Sequence, residues 1–137
     1  MIVTALCDQA KLDMMDGVHQ PGDTYRLALY TDEADLDDNT TKYTTKHETS
    51  GQGYPRGGFY LTGRRTALVD KVACLTFNDV NAERCTFEAS GAMIYNESRN
   101  GAALATLAFD TIKRPSNGAF ELEFPLLKPN SAVVVII

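Results

Sequence analysis

The chain reads as an all-β domain with one short N-terminal helix, an antiparallel sandwich or barrel for which a β-sandwich, jelly-roll-like or of another closure, is the expected form. Three observations predict it. Apolar and polar residues alternate at a period of two through most of the chain from about residue 24 onward, turn chemistry recurs about every 8 to 12 positions, and only one segment carries helical spacing. With 137 residues, the chain fits a single domain spanning 1–137. A domain of this size hides roughly two thirds of its unfolded surface, so one core without staples suffices.

The helical segment is Thr4 to Val18, where Ala5, Leu6, Ala10, Leu12, Met14, Met15 and Val18 form an apolar stripe beside Asp8, Lys11, Asp13 and Asp16. Thr4 is placed to cap it, Asp8 complements the positive end of the helix dipole, and Gly17 with Pro21-Gly22 ends it. Tyr25, Leu27 and Leu29 then alternate with Arg26, Ala28 and Tyr30, which predicts a half-buried strand. A long polar excursion follows. Its Asp32, Glu33, Asp35, Asp37 and Asp38 repel one another and predict a solvated loop. Gly51, Gly53, Gly57 and Gly58 surround Tyr54-Pro55, too many glycines for a helix or a central strand.

Further strands are expected at Phe59–Leu61, Ala67–Val69, Val72–Phe77, Ala102–Phe109, Ala119–Phe124 and Ala132–Ile137, with Cys85–Ala89 and Gly91–Tyr95 forming one or two more. Asp70-Lys71 reads either as a turn or as a solvent-facing pair within one longer strand. Asn78-Asp79-Val80-Asn81 has side chains that bond to their own backbone, which predicts a turn. Asn100-Gly101 favours the positive φ angles of a tight hairpin, and Pro115-Ser116-Asn117-Gly118 is a second turn signal. Phe120, Leu122 and Phe124 share one face of their strand and leave Glu121 and Glu123 on the wet one. That apolar face is worth about 5 kcal/mol of burial.

Composition narrows the function. Apolar residues make up 44% and charged residues 23%, ordinary for a globular domain, and the longest apolar run falls far short of the ~20 residues of a membrane span. The N-terminus lacks the charged and apolar regions of a secretion signal, so maturation in the cytosol is expected. A net charge of −5 argues against phosphate binding and hence against direct contact with nucleic acid. Cys7, Cys74 and Cys85 match no zinc or CxxC spacing and are expected to be reduced and buried. Asp35-x-Asp37-x-Asn39 begins like a calcium loop, but Thr40 replaces the required glycine and Lys46 the bidentate glutamate.

No nucleophile–base constellation is legible. His19 and His47 are the only histidines, Cys85 stands beside Arg84 without a histidine, and the GQGYPRGG run is followed by no Lys-Ser/Thr that would make it a phosphate loop. The residues predict neither an enzyme nor a cofactor. Arg56, Arg64 and Arg65 interleave instead with Tyr54, Phe59 and Tyr60, a grouping that fits interface anchors and equally a solvated loop.

Several of these segments together resemble a family of small virion structural proteins of tailed bacteriophages. The matching residues are Thr4-Ala5-Leu6-Cys7, the strand from Tyr25 to Thr31, the loop Glu48-Thr49-Ser50-Gly51-Gln52-Gly53-Tyr54-Pro55-Arg56-Gly57-Gly58, the run Thr86 to Asn96, and Phe120-Glu121-Leu122-Glu123-Phe124-Pro125. The chain departs from that pattern at Ala82, where the family often carries a tryptophan; this chain has none. The resemblance implies a non-enzymatic capsid decoration or cement protein on the virion exterior, assembled in the host cytoplasm. Its implied partners are the major capsid protein and further copies of itself as dimers or trimers, with no membrane. Candidate interface residues are Tyr54, Pro55, Arg56, Phe59, Tyr60, Arg64, Val133, Val135 and Ile137. The acidic loop and the N-terminal helix are further candidate contact segments. A second reading is a tail-associated or receptor-binding module for a host surface glycan, using Tyr43, Tyr54 and Tyr60.

Overall fold

The computed structural model describes residues 1–124 and, for the backbone alone, 134–136. The described strands form three sheets in which every strand pair is antiparallel, accompanied by one α-helix. The all-β prediction with one helix therefore holds.

The N-terminal segment differs from expectation. Ala5–Leu6 is a short strand, β1, and only Asp8–Met15 is helical, α1. The helix is shortened because the first residues find partners across the chain: Ala5 lies opposite Thr106 and Leu6 opposite Ala105. Thr4 does not cap the helix, since its hydroxyl accepts the Ala108 N–H at 2.9 Å, and Cys7 occupies the N-cap without a side-chain capping hydrogen bond. Nor is there a buried stripe. Ala10 alone is buried within α1, while Leu12 and Met15 stand 52% and 89% exposed.

The central sheet is built on β2 (Tyr25–Tyr30), with β3 (Phe59–Tyr60) on one side and β7 (Ala89–Asn96) on the other, followed by β8 (Ala102–Lys113) and β1. In β2, Leu27, Ala28, Leu29 and Tyr30 are all fully buried, so the strand is covered on both faces rather than one. The polar excursion supplies the second cover: Tyr30 Oη donates to Thr44 O at 2.6 Å and Thr49 N–H to Leu29 O at 2.8 Å. β7 and β8 meet in a hairpin whose connection is a 3₁₀ turn, Glu97–Arg99, followed by Asn100 at φ 56° and Gly101 at φ 76°. The positive φ angles fall where Asn-Gly predicts them.

β4 (Arg65–Val69) and β5 (Val72–Thr76) form the second sheet with β10 (Val134–Ile136), and β6 (Val80–Cys85) pairs with β9 (Gly118–Leu122) in the third. Asp70 and Lys71 have φ angles of 50° and 66°, which settles them as a two-residue hairpin turn. The predicted turn at 78–81 is a correction, because Val80 and Asn81 already belong to β6. Asn78 and Asp79 bond to distant residues rather than to themselves: the Asn78 amide donates to Thr62 Oγ1, and Asp79 Oδ1 accepts the Phe124 N–H at 2.8 Å. The predicted Cys85–Ala89 strand is also broken. β6 ends at Cys85 after an irregularity that puts Arg84 at φ 55°, and β7 begins at Ala89.

Aromatic contacts fuse the sheets into one core. Tyr25 of β2 meets Phe77 at 5.6 Å between ring centroids, Phe77 meets Phe124 at 5.9 Å, and Phe59 of β3 stacks on Phe120 of β9 at 5.7 Å. Phe120 and Phe124 are buried and Leu122 half-buried, while Glu121 and Glu123 face solvent, as their alternation predicts. Cys7, Cys74 and Cys85 are buried free thiols. No helix among the described residues is long and apolar enough to cross a membrane.

Candidate functional site

The glycine-rich loop is fastened to the central sheet by one carboxylate. Glu48 Oε1 accepts the Tyr43 hydroxyl at 2.6 Å, and Oε2 accepts the Tyr54 hydroxyl at 2.5 Å together with the Gly57 N–H at 3.0 Å. Tyr54 Oη in turn accepts the Leu29 N–H at 3.1 Å. Burial and the Glu48 carboxylate both push the Tyr43 and Tyr54 phenols upward, so they act as donors and stay neutral. Charge-assisted hydrogen bonds of this kind are about twice as strong as neutral ones. The loop is thus held at both ends of its Tyr-Pro-Arg-Gly turn.

Two of the glycines are required by contact. A Cβ on Gly58 would stand 2.2 Å from Leu27 O, and one on Gly51 2.3 Å from Thr86 O; both residues also have positive φ, at 101° and 154°. The loop backbone lies directly on β2 on one side and on the segment after β6 on the other, where no side chain fits.

Arg26 completes the attachment from the sheet side. Its Nη2 donates to Gly58 O at 2.7 Å and to Arg56 O at 3.1 Å, and its Nη1 pairs with Glu97 Oε2 at 2.9 Å. The Tyr95 hydroxyl donates to Gly57 O at 2.5 Å. Arg26 faces its cross-strand partner Tyr60, whose ring centroid lies 4.4 Å from the guanidinium carbon. One face of the Tyr60 ring is therefore occupied by a fixed cation, and the residue remains 59% exposed.

The predicted interface residues separate into distinct groups. Pro55, Arg56 and Tyr60 are exposed along this loop and its following strand, whereas Tyr54 and Phe59 are half-buried and pin the loop inward. Beside them lies an open depression of about 420 Å³ walled by Arg26, Tyr43, Arg56, Tyr95 and Glu97. Arg64 does not join this group; it lines a different cavity with His19 and Tyr25. The Val135 backbone pairs with Cys74 in the second sheet, and Val133 and Ile137 lie outside the described residues. His47 stands apart from His19, 3.6 Å from Glu33.

Sequence reasoning missed Glu48, Arg26 and Tyr95 as the residues that set this surface. The signal for Glu48 was present, since an acid, a tyrosine six positions on and a glycine nine positions on lie within one motif. Arg26 and Tyr95 were concealed in strands, where only pairing reveals what they touch. No protein-family model matches the chain, and no curated protein or solved structure matches it.

Proposed function

We propose that this chain is a non-enzymatic structural protein of a tailed-phage virion, a capsid decoration or cement protein docked on the major capsid protein at the head exterior. In this reading its sheets pack as a jelly-roll-like sandwich and copies associate as dimers or trimers. The observation that carries the proposal is the strapped loop. It presents Pro55, Arg56 and Tyr60 from a backbone fixed by Glu48, Arg26 and Tyr95, so little conformational freedom is lost when a partner covers it. Tyrosine and arginine held in this way are the residue types that dominate interface energetics. A shell under outward pressure gains from such a domain because symmetry repeats a modest contact at every equivalent site.

The glycan reading has weaker support. Tyr43 and Tyr54 spend their hydroxyls on Glu48, which leaves Tyr60 as the one exposed aromatic of the three proposed for sugar stacking.

The proposal is tested by mixing the purified protein with assembled capsid shells lacking it and sedimenting them. Saturable co-sedimentation is expected, weakened at least tenfold by Tyr60→Ala combined with Arg56→Glu. Absence of binding to shells, together with retention on host-cell surface glycans, would overturn it.

A further inference from the structure

We propose that the cavity where α1, the central sheet and the β4–β5 hairpin meet binds a small apolar carboxylate, with its head group held by Arg64 and His19. The cavity measures about 390 Å³, within the ~300–1,000 Å³ of ligand pockets, and Met14, Leu68, Leu75 and Leu104 give it an apolar wall. It lies apart from the loop surface proposed to dock on the capsid, and the inference does not depend on that reading.

Two donors that line the cavity lack acceptors, and Asn96 Oδ1 beside its polar end is a buried acceptor without a partner. His19 Nδ1 lies 3.1 Å from Tyr25 Oη and 3.2 Å from Asn96 Nδ2, and the same Asn96 nitrogen donates to Asp23 Oδ2 at 2.7 Å. An amide nitrogen only donates, so His19 Nδ1 is the acceptor. Burial also holds the imidazole below its ordinary pKa, which keeps it neutral and places its single proton on Nε2. That Nε2–H is buried and meets no acceptor, and neither does the buried Nε–H of Arg64. Among the described residues, no carboxylate forms an ion pair with Arg64.

Two buried donors without partners, one of them on a fixed cation, line the same apolar cavity. Unsatisfied buried groups are rare in native proteins, and each calls for a partner such as an ordered water, an ion or a ligand. A carboxylate supplies an acceptor to each donor and neutralises the charge. An alcohol lacks the charge, and an amine carries the wrong sign.

Cys74 reports occupancy because it is a buried thiol on the cavity wall, whereas Cys7 and Cys85 are buried elsewhere. The test alkylates the full-length native protein with iodoacetamide and follows each cysteine by mass spectrometry, with decanoate, decanol or decylamine present. Decanoate is expected to slow Cys74 at least fivefold and leave Cys7 and Cys85 unchanged, with little effect from the other two. Arg64→Gln is expected to remove the protection at unchanged circular dichroism; should it not fold, His19→Phe is expected to weaken it severalfold. Equal protection by decanol, slowing of all three cysteines together, or an unprotected Cys74 in decanoate would overturn the proposal.

Discussion

Tyr54 Oη stands 2.5 Å from Glu48 Oε2 and 3.1 Å from the Leu29 backbone nitrogen, so a single phenol ties the glycine-rich loop to a buried central strand. Tyr54→Phe leaves the Leu29 N–H without its acceptor and Glu48 Oε2 with the Gly57 N–H alone. The expected cost is about 1–3 kcal/mol. Glu48→Gln costs a similar amount, and the double variant should be less destabilised than the sum, with a coupling of about 0.5–3 kcal/mol. Urea denaturation of the four proteins in the cycle measures this. Additive losses would mean that the two side chains act independently.

Glycine positions are expected to differ sharply. Gly58→Ala puts a Cβ 2.2 Å from Leu27 O at a φ of 101°, and neither backbone can yield without breaking the β2–β3 pairing. A loss of roughly 3 kcal/mol or more is expected, at the upper end of single-substitution effects. Gly22→Ala meets no atom within 4 Å and should be neutral or stabilising by up to about 1 kcal/mol. Thermal melts of the two variants check the contrast.

Acid should weaken the fold in two stages. Burial lowers His19, so below the unfolded value near 6.5 the unfolded chain takes up a proton that the folded chain resists, and stability falls as pH falls from there. Asp23 follows. Burial pushes its carboxyl up, but hydrogen bonds from Arg99, Asn96 and the Gln20 N–H outweigh that and hold it at about 2. Its contribution is complete above the unfolded value of 3.8 and is lost as pH falls towards 2. Asp23→Asn should remove the second stage and keep the first when stability is followed against pH.

Alkali should act through the tyrosines. Burial raises Tyr25 to about 12 and pushes Tyr30, Tyr43, Tyr54 and Tyr95 upward as well. For an acid raised in the fold, stability is complete below the unfolded value near 10 and is lost as pH rises through the folded value. Tyrosinate absorbance from these five residues is therefore expected to appear together with loss of far-ultraviolet circular dichroism. Ionisation well before unfolding would contradict the buried placement.

Much of the fold was legible because its signals are local. The Asn100-Gly101 hairpin and the Phe120/Phe124 face follow from neighbouring residues, and each is found, whereas Asp70-Lys71 fits either a turn or a solvent-facing pair by sequence and its backbone angles decide for the turn. What escaped depends on distant partners. The first helical residues became β1 because Thr106 and Ala105 offered a strand edge, and β2 became buried on both faces because the loop through Thr44 and Thr49 folds back over it. The site was half legible for the same reason: Pro55, Arg56 and Tyr60 are exposed in one short segment, whereas the residues that hold them, Arg26 and Tyr95, come from strands remote in sequence.

Cryo-electron microscopy of the assembled virion tests the central claim, that this β scaffold works by holding surfaces together, most directly. The account predicts density for the domain at every equivalent position on the outer head, amounting to hundreds of copies by symmetry, with the Pro55–Tyr60 face turned to the major capsid protein. A dozen or so copies confined to the tail, or none on the particle, would contradict it.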